Sequence, residues 1–259
     1  MEPILKYYDM TPRVTAFSST RYGGFSQGHY ASFNVNPYCG DNNTYVRKNK
    51  NLLCKKLHID ASRLIIPHQI HGTSIKLVDD FFLNKTKKEQ QISLEGVDAL
   101  ITQEWFTCLG ISTADCVPIL IYDQKEHAIA AIHAGWRGTQ QRIVEKTINE
   151  MNRCFYSSPT NLIATIGPSI GVDAFEVGPE VYQSFYSSGF NIEKISKKIA
   201  GKWHIDLWRA NILSLEKMGV PHENIQLSGI CTFTHSSDFF SARKLTINSG
   251  RILSGIIQR

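Results

Sequence analysis

Apolar positions along the chain gather into short runs rich in valine and isoleucine, each closed by polar or glycine-bearing residues. Val14 to Ser18, Ile75 to Val78, Gly96 to Thr102, Cys108 to Ser112, Val117 to Tyr122, Ala128 to Ile132 and Leu162 to Ile166 have the length and composition of strands. A further strand ends at Cys231-Thr232. Helical spacing appears elsewhere. Asn43 to Leu57 places Val46, Leu53 and Leu57 on one side, and Thr139 is positioned to cap a helix whose Ile143, Val144, Thr147, Ile148 and Met151 recur on one face. Pro179 to Tyr186 predicts a further helix, and Leu207 to Met218 another, capped by Asp206, with Trp208, Ile212 and Leu215 inward. Lys85 to Gln91, all polar, predicts an exposed loop. The mixture is α/β.

Composition narrows the class. With 259 residues, 42% of them hydrophobic, the chain buries a full core, and no repeat, linker or low-complexity tract divides it. The net charge of +5 is modest, and the clusters Lys85, Lys87, Lys88 and Lys194, Lys197, Lys198 read as solvated faces, so no nucleic-acid partner is expected. No run approaches membrane-spanning length and Met1 to Met10 has no apolar core, which predicts a soluble, cytoplasmic protein without a membrane partner. Six cysteines without any CxxC pair read as reduced thiols and argue against finger-type structural zinc.

Chemistry concentrates between Thr113 and Gly138. Val117 to Tyr122 and Ala128 to Ile132 are joined by Asp123-Gln124-Lys125-Glu126, and antiparallel pairing across so short a connection brings Cys116 and His133 to one sheet edge. Gly135 and Gly138 then flank Trp136-Arg137 in a turn that permits close approach to a ligand. The cysteine and histidine form a metal-binding pair, a nucleophilic dyad, or part of an ordinary core. A third ligand would favour the metal. His68 and His71, an odd number of positions apart, cannot face the same way on an extended chain, and His71, beside Gly72, is the better candidate. Near the start, Thr20 to Gly28 places Arg21 in a glycine- and serine-rich loop suited to an anionic or hydroxylated ligand, although the Gly-Lys-Ser/Thr ending of a phosphate loop is missing.

Several motifs together carry a resemblance: His71-Gly72-Thr73, Asp98-Ala99-Leu100-Ile101-Thr102, Thr113-Ala114-Asp115-Cys116-Val117-Pro118 and His133-Ala134-Gly135-Trp136-Arg137-Gly138-Thr139. Gly167-Pro168-Ser169-Ile170-Gly171, Ser241-Ala242-Arg243 and Gly250-Arg251 extend it over nearly the whole chain. The sequence resembles the laccase-domain purine nucleoside phosphorylases, formerly labelled multicopper polyphenol oxidases. The resemblance implies one domain over residues 1–259, a layered α-β-β-α sandwich with mixed sheets. It also implies a zinc ion on His71, Cys116 and His133, with one coordination position left for chemistry. The expected substrates are purine nucleosides (adenosine, inosine, methylthioadenosine) with phosphate, giving base and ribose 1-phosphate, together with deamination of adenosine. Cys116, His133, Asp115 and Arg137 are the expected catalytic residues. For phosphate the candidates are Arg137, Arg243, Arg21 and Lys50; for purine or ribose edges they are Asn34 and Gln69, with turn formation the alternative. Asp115 either supports a zinc-bound histidine or acts as an acid/base group. At Lys50 and Lys244 the family more often has arginine.

Other readings remain at this level. As an alternative, Cys116 as nucleophile and His133 as base would suit a Cys-His hydrolase editing a cell-wall precursor. Copper, the less expected metal, would make a phenol oxidase, but a multicopper cluster needs more grouped histidines than nine scattered ones supply. A purely structural zinc is disfavoured by the three-ligand set. Nothing in the sequence sets the oligomeric state.

Overall fold

A computed structural model describes all 259 residues. Its frame is two mixed sheets packed face to face with helices on both outer sides. One sheet runs from edge to edge as Leu5–Tyr8, Val14–Ser19, Ile252–Gln258, Cys108–Thr113 and Leu64–Ile65. The other runs as Ile225–Leu227, Leu162–Ile166, Val117–Asp123, Ala128–Ala134, Ala99–Thr102 and Ile75–Leu77. A small antiparallel sheet of Glu176–Val177, Lys202–Ile205 and Ser196–Ile199 stands apart.

Strand Val117–Asp123 shows why its sequence is continuously apolar. Val117, Ile119 and Ile121 face outward onto helices Ile143–Phe155 and Leu207–Met218, while Leu120 and Tyr122 face inward onto Leu109, Ile111 and Ile256 of the other sheet. Covered on both sides, the strand has no polar face to alternate with. Each such fully buried Ile or Leu contributes about 1.5–3 kcal/mol. On the far side, Phe17, Leu253 and Ile257 pack against Leu53 and Leu57 at the end of helix Asn43–Lys56. The layers are therefore α-β-β-α, as the resemblance implies.

Three local expectations change, and one connection is added. Lys85 to Gln91 is not a loop: Lys87–Ser93 is helical, and the signal is a capping box in which Thr86 and Glu89 satisfy each other's backbone N–H groups. Thr139 lies inside a short helix, Trp136–Gln140, and the following helix Ile143–Phe155 begins instead at Arg142, held in the left-handed region at φ 67°. Cys231 makes only an isolated bridge to Ser169, not a strand end. Cys108–Thr113 and Val117–Asp123, consecutive in sequence, lie in different sheets, so the chain changes layers between them. That crossing builds the site.

Candidate metal centre

The crossing passes through Ala114-Asp115-Cys116. Asp115 adopts φ 84°, a left-handed conformation unusual for a side-chain-bearing residue, and this turn carries the chain from one sheet to the other. Val117 then pairs with Ala134 and Pro118 with His133, so Cys116 emerges beside Gly135 at the shared edge. His71 arrives from the loop that follows Leu64–Ile65, itself at φ 65°.

The nitrogens of His71 and His133 and the sulfur of Cys116 lie within 4.8 Å of one another, grading from exposed through half-buried to buried. The two imidazoles meet edge to face, 4.8 Å between centroids at 73°. Gly135 explains itself here. Its φ of −66° is ordinary, but a Cβ would stand 3.1 Å from both Cys116 Sγ and His71 Cδ2. A Cβ on Gly138 would approach the Gly72 carbonyl oxygen to 3.0 Å, so both glycines let the Trp136–Gln140 helix close against the His71 loop.

One fully buried carboxylate organises the histidines. Asp98 Oδ1 pairs with His133 Nδ1 at 2.7 Å and accepts the His71 backbone N–H at 3.0 Å, while Oδ2 accepts the Gly72 N–H at 2.7 Å. The His133 backbone N–H also bonds to the Asp98 carbonyl at 2.8 Å. With Nδ1 occupied, Nε2 is the nitrogen turned toward Cys116 and His71. Burial raises the Asp98 pKa, but the bond and charge of His133 outweigh it and hold the carboxyl below its usual range. Burial likewise pushes the Cys116 thiol up, yet His133 and His71 beside it bring it down to about 6. Burial opposes charge on His133 too, and the Cys116 thiolate with Asp98 raises it to about 9. The sulfur is thus poised as thiolate, the form that binds metal or attacks carbon.

A cavity of about 560 Å³ opens over the triad, with Tyr38, His68, Gln69, Ser112 and Arg251 in its walls. The other expected site residues fare unevenly. Asp115 reaches neither histidine: its oxygens accept the Thr232 hydroxyl at 2.7 Å and the Arg243 N–H at 2.6 Å. Gln69 lines the cavity, but its amide is paired with the Ser112 backbone at 2.9 and 2.8 Å. Asn34 is fully buried, bonded to Asn36, Asp41 and the Arg251 N–H, and does not line the cavity over the triad. Arg21 is clamped to the carbonyls of Ala31 and Ser236, and Arg243 to that of Glu176. Arg137 is exposed over the Trp136 ring. Lys50 lines a neighbouring cavity instead. None of these four cations lines the cavity over the triad.

Two contributors stand in the quoted motifs, but the sequence reading assigned them no role. Asp98 carries the signal of an acid at the mouth of a wholly buried strand, where only a fixed partner makes burial tolerable. Arg251 enters the cavity wall from a C-terminal loop whose carbonyls at Ile247, Ser249 and Gly250 it binds.

Comparison with known proteins places nearly the whole chain in a family. A family model described as multi-copper polyphenol oxidoreductase laccase matches residues 15–259. A purine nucleoside phosphorylase of Bacteroides thetaiotaomicron is 50% identical over 246 residues, 94% of this chain and 91% of its own. A protein named adenosine deaminase RL5, from an unknown prokaryotic organism, is 40% identical over 95% of this chain and 94% of its own. Among solved structures, the Bacillus licheniformis hypothetical protein YfiH superposes with a TM-score of 0.93 at 27% identity, covering 99% of this chain and 97% of that one. On the strength of the near-complete match and the 50% identical relative, the chain belongs to the multi-copper polyphenol oxidoreductase laccase family.

Proposed function

We propose that the protein is a zinc-dependent purine nucleoside phosphorylase that also deaminates adenosine, with His71, Cys116 and His133 as the metal ligands. The observation that carries this is the convergence of two imidazole nitrogens and a thiolate-prone sulfur within 4.8 Å, at the floor of a cavity large enough for a nucleoside. The relatives named purine nucleoside phosphorylase and adenosine deaminase support a nucleoside-processing enzyme.

The donor set fits zinc: borderline-soft, tetrahedral, and open to a reactant when only three protein atoms bind. Zinc so held would supply Lewis acidity and would acidify a water, the chemistry that deamination at C6 of adenine calls for. The chain's own residues prepare that site. Asp98 fixes the His133 tautomer with Nε2 toward the metal position, and Gly135 removes the side chain that would occupy it. Single copper loading would fit the same donors, but only one three-residue group of this kind exists in the fold, which leaves no place for a multinuclear cluster.

A second reading has one observation in its favour. Cys116, His133 and Asp98 also compose a nucleophile, a base and an orienting carboxylate, so a Cys-His hydrolase shares this geometry. Adenosine incubated with phosphate and the metal-replete protein is expected to yield adenine and ribose 1-phosphate, with inosine from deamination, and Cys116→Ala is expected to abolish all three. Full activity in protein stripped of metal would sink the zinc reading; thiol-specific trapping of a substrate acyl group in that protein would establish the hydrolase.

A further inference from the structure

Phosphorolysis brings a phosphate dianion to the site, yet the cavity over the triad offers little to hold one. Its one guanidinium, Arg251, spends three N–H donors on the carbonyls of Ile247, Ser249 and Gly250. Behind Tyr38, whose ring lines both spaces, lies a second cavity of about 530 Å³. Lys50, Lys85 and Lys87 line it, with no carboxylate in its wall. We propose that this second cavity is a phosphate-binding site, taking inorganic phosphate or the phosphate group of a sugar phosphate.

Lys50 is the central residue. It projects from helix Asn43–Lys56, is half-buried, and its ammonium has no ion-pair partner, whereas Lys56, Lys197, Lys202 and Lys217 each pair with a carboxylate. Burial holds its pKa below the usual lysine range, offset only in part by the Cys54 thiol, and no carboxylate pairs with it. An anion in the cavity supplies the missing partner. Lys85, over the Phe81 ring, and the exposed Lys87 stand at the rim. Outside the wall, Glu89 is bonded to the Thr86 cap and Asp60 to the Ser62 N–H, and their charges act on Lys85 and Lys87 at the rim, not on Lys50. Ser62 and Gln91 complete a polar wall, and Tyr38 forms the partition toward the triad. The inference rests on the phosphorolysis reading only for its biological sense; the site is defined by its own charges.

Calorimetric titration of the zinc-loaded full chain with inorganic phosphate, and separately with ribose 1-phosphate, tests it. Lys50→Met is expected to weaken binding about tenfold or more, the loss of one charge-assisted contact, and Lys87→Met about two- to threefold, as an exposed charge. Lys50→Arg should restore it. Tighter binding of ribose 1-phosphate than of phosphate assigns the site to the product's phosphate, and the reverse order to the co-substrate. Unchanged affinity in Lys50→Met, or no binding by the wild-type protein at millimolar phosphate, overturns the proposal; should Lys50→Met not fold, unchanged affinity in Lys87→Met overturns it equally. Adenine release from adenosine is scored apart: Lys50-dependent binding without it removes the phosphorolysis reading alone, and adenine release with Lys50-independent binding removes the second site alone.

Discussion

Asp98 and Asp115 are both buried and both adjoin the triad, yet they belong to different walls and do different work. Asp98 stands at the mouth of Ala99–Thr102, in the sheet that carries His133, and its carboxylate joins that imidazole to the backbone of the His71 loop. Asp115 precedes Cys116 directly but turns the other way, tying the layer crossing to Thr232 and to the Arg243 backbone. Neighbourhood in sequence favours Asp115 as the support of a triad histidine; pairing across the sheet selects Asp98. One wall holds the chemistry, and the other holds the cavity's C-terminal rim.

The largest effect should come from the inner wall. Asp98→Asn keeps the shape but removes the charge that pairs with His133, and metal affinity and adenosine turnover are expected to fall about 10–100-fold together. Zinc content after dialysis, read beside kcat, checks it; wild-type zinc retention in Asp98→Asn would erase the distinction between the two aspartates.

Gly135→Ala probes the same wall sterically. The added Cβ has 3.1 Å to Cys116 Sγ and to His71 Cδ2, so the ligands must spread or the strand end must shift, at a cost of about 1–3 kcal/mol. Expected are weaker zinc binding and a lowered melting temperature, since the clash exists with or without metal.

Acid should act on this wall next. The Cys116 pKa sits at about 6, below that of a free thiol, so the fold favours the thiolate above that value and loses the preference as pH falls through it. Protons then compete with metal for the sulfur. Zinc retention is expected to decline as pH is lowered, because protons compete both for the Cys116 sulfur and for the imidazole of His133, whose pKa is held up to about 9; zinc content after dialysis at stepped pH checks it.

Much of this was legible before the fold. The strands on either side of the Asp123 to Glu126 turn follow from apolar run length, and their antiparallel pairing brings Cys116 to His133. His71 over His68 follows from parity and the adjoining glycine; in the structure His68 pairs with Glu95 and stacks on Tyr38, outside the triad. What the sequence concealed are partners chosen by three-dimensional crossing. Arg21, Asn34 and Arg243 have the chemistry of ligand-binding groups, but loops distant in sequence present carbonyls and N–H groups that consume it. Residue type announces hydrogen-bonding capacity; only the fold decides whether a ligand or the backbone receives it.

The smallest expected catalytic effect tests the outer wall. Asp115→Asn leaves both histidine contacts of Asp98 intact but sets an amide where Oδ1 accepts the Thr232 hydroxyl and Oδ2 the Arg243 N–H. One of the two bonds can be kept by orienting the amide oxygen toward Arg243; the other becomes a contact with a hydroxyl that can rotate to accept. The loss is therefore mainly that of charge in two short bonds, about 1–3 kcal/mol of stability. Because Thr232 and Arg243 anchor the C-terminal segment that leads to Arg251, the change should appear in denaturant midpoint and in a raised KM, while zinc content and kcat stay near wild type. A collapse of zinc binding in Asp115→Asn, equal to that in Asp98→Asn, would mean that the crossing turn itself sets the Cys116 position, and that the two walls act as one unit.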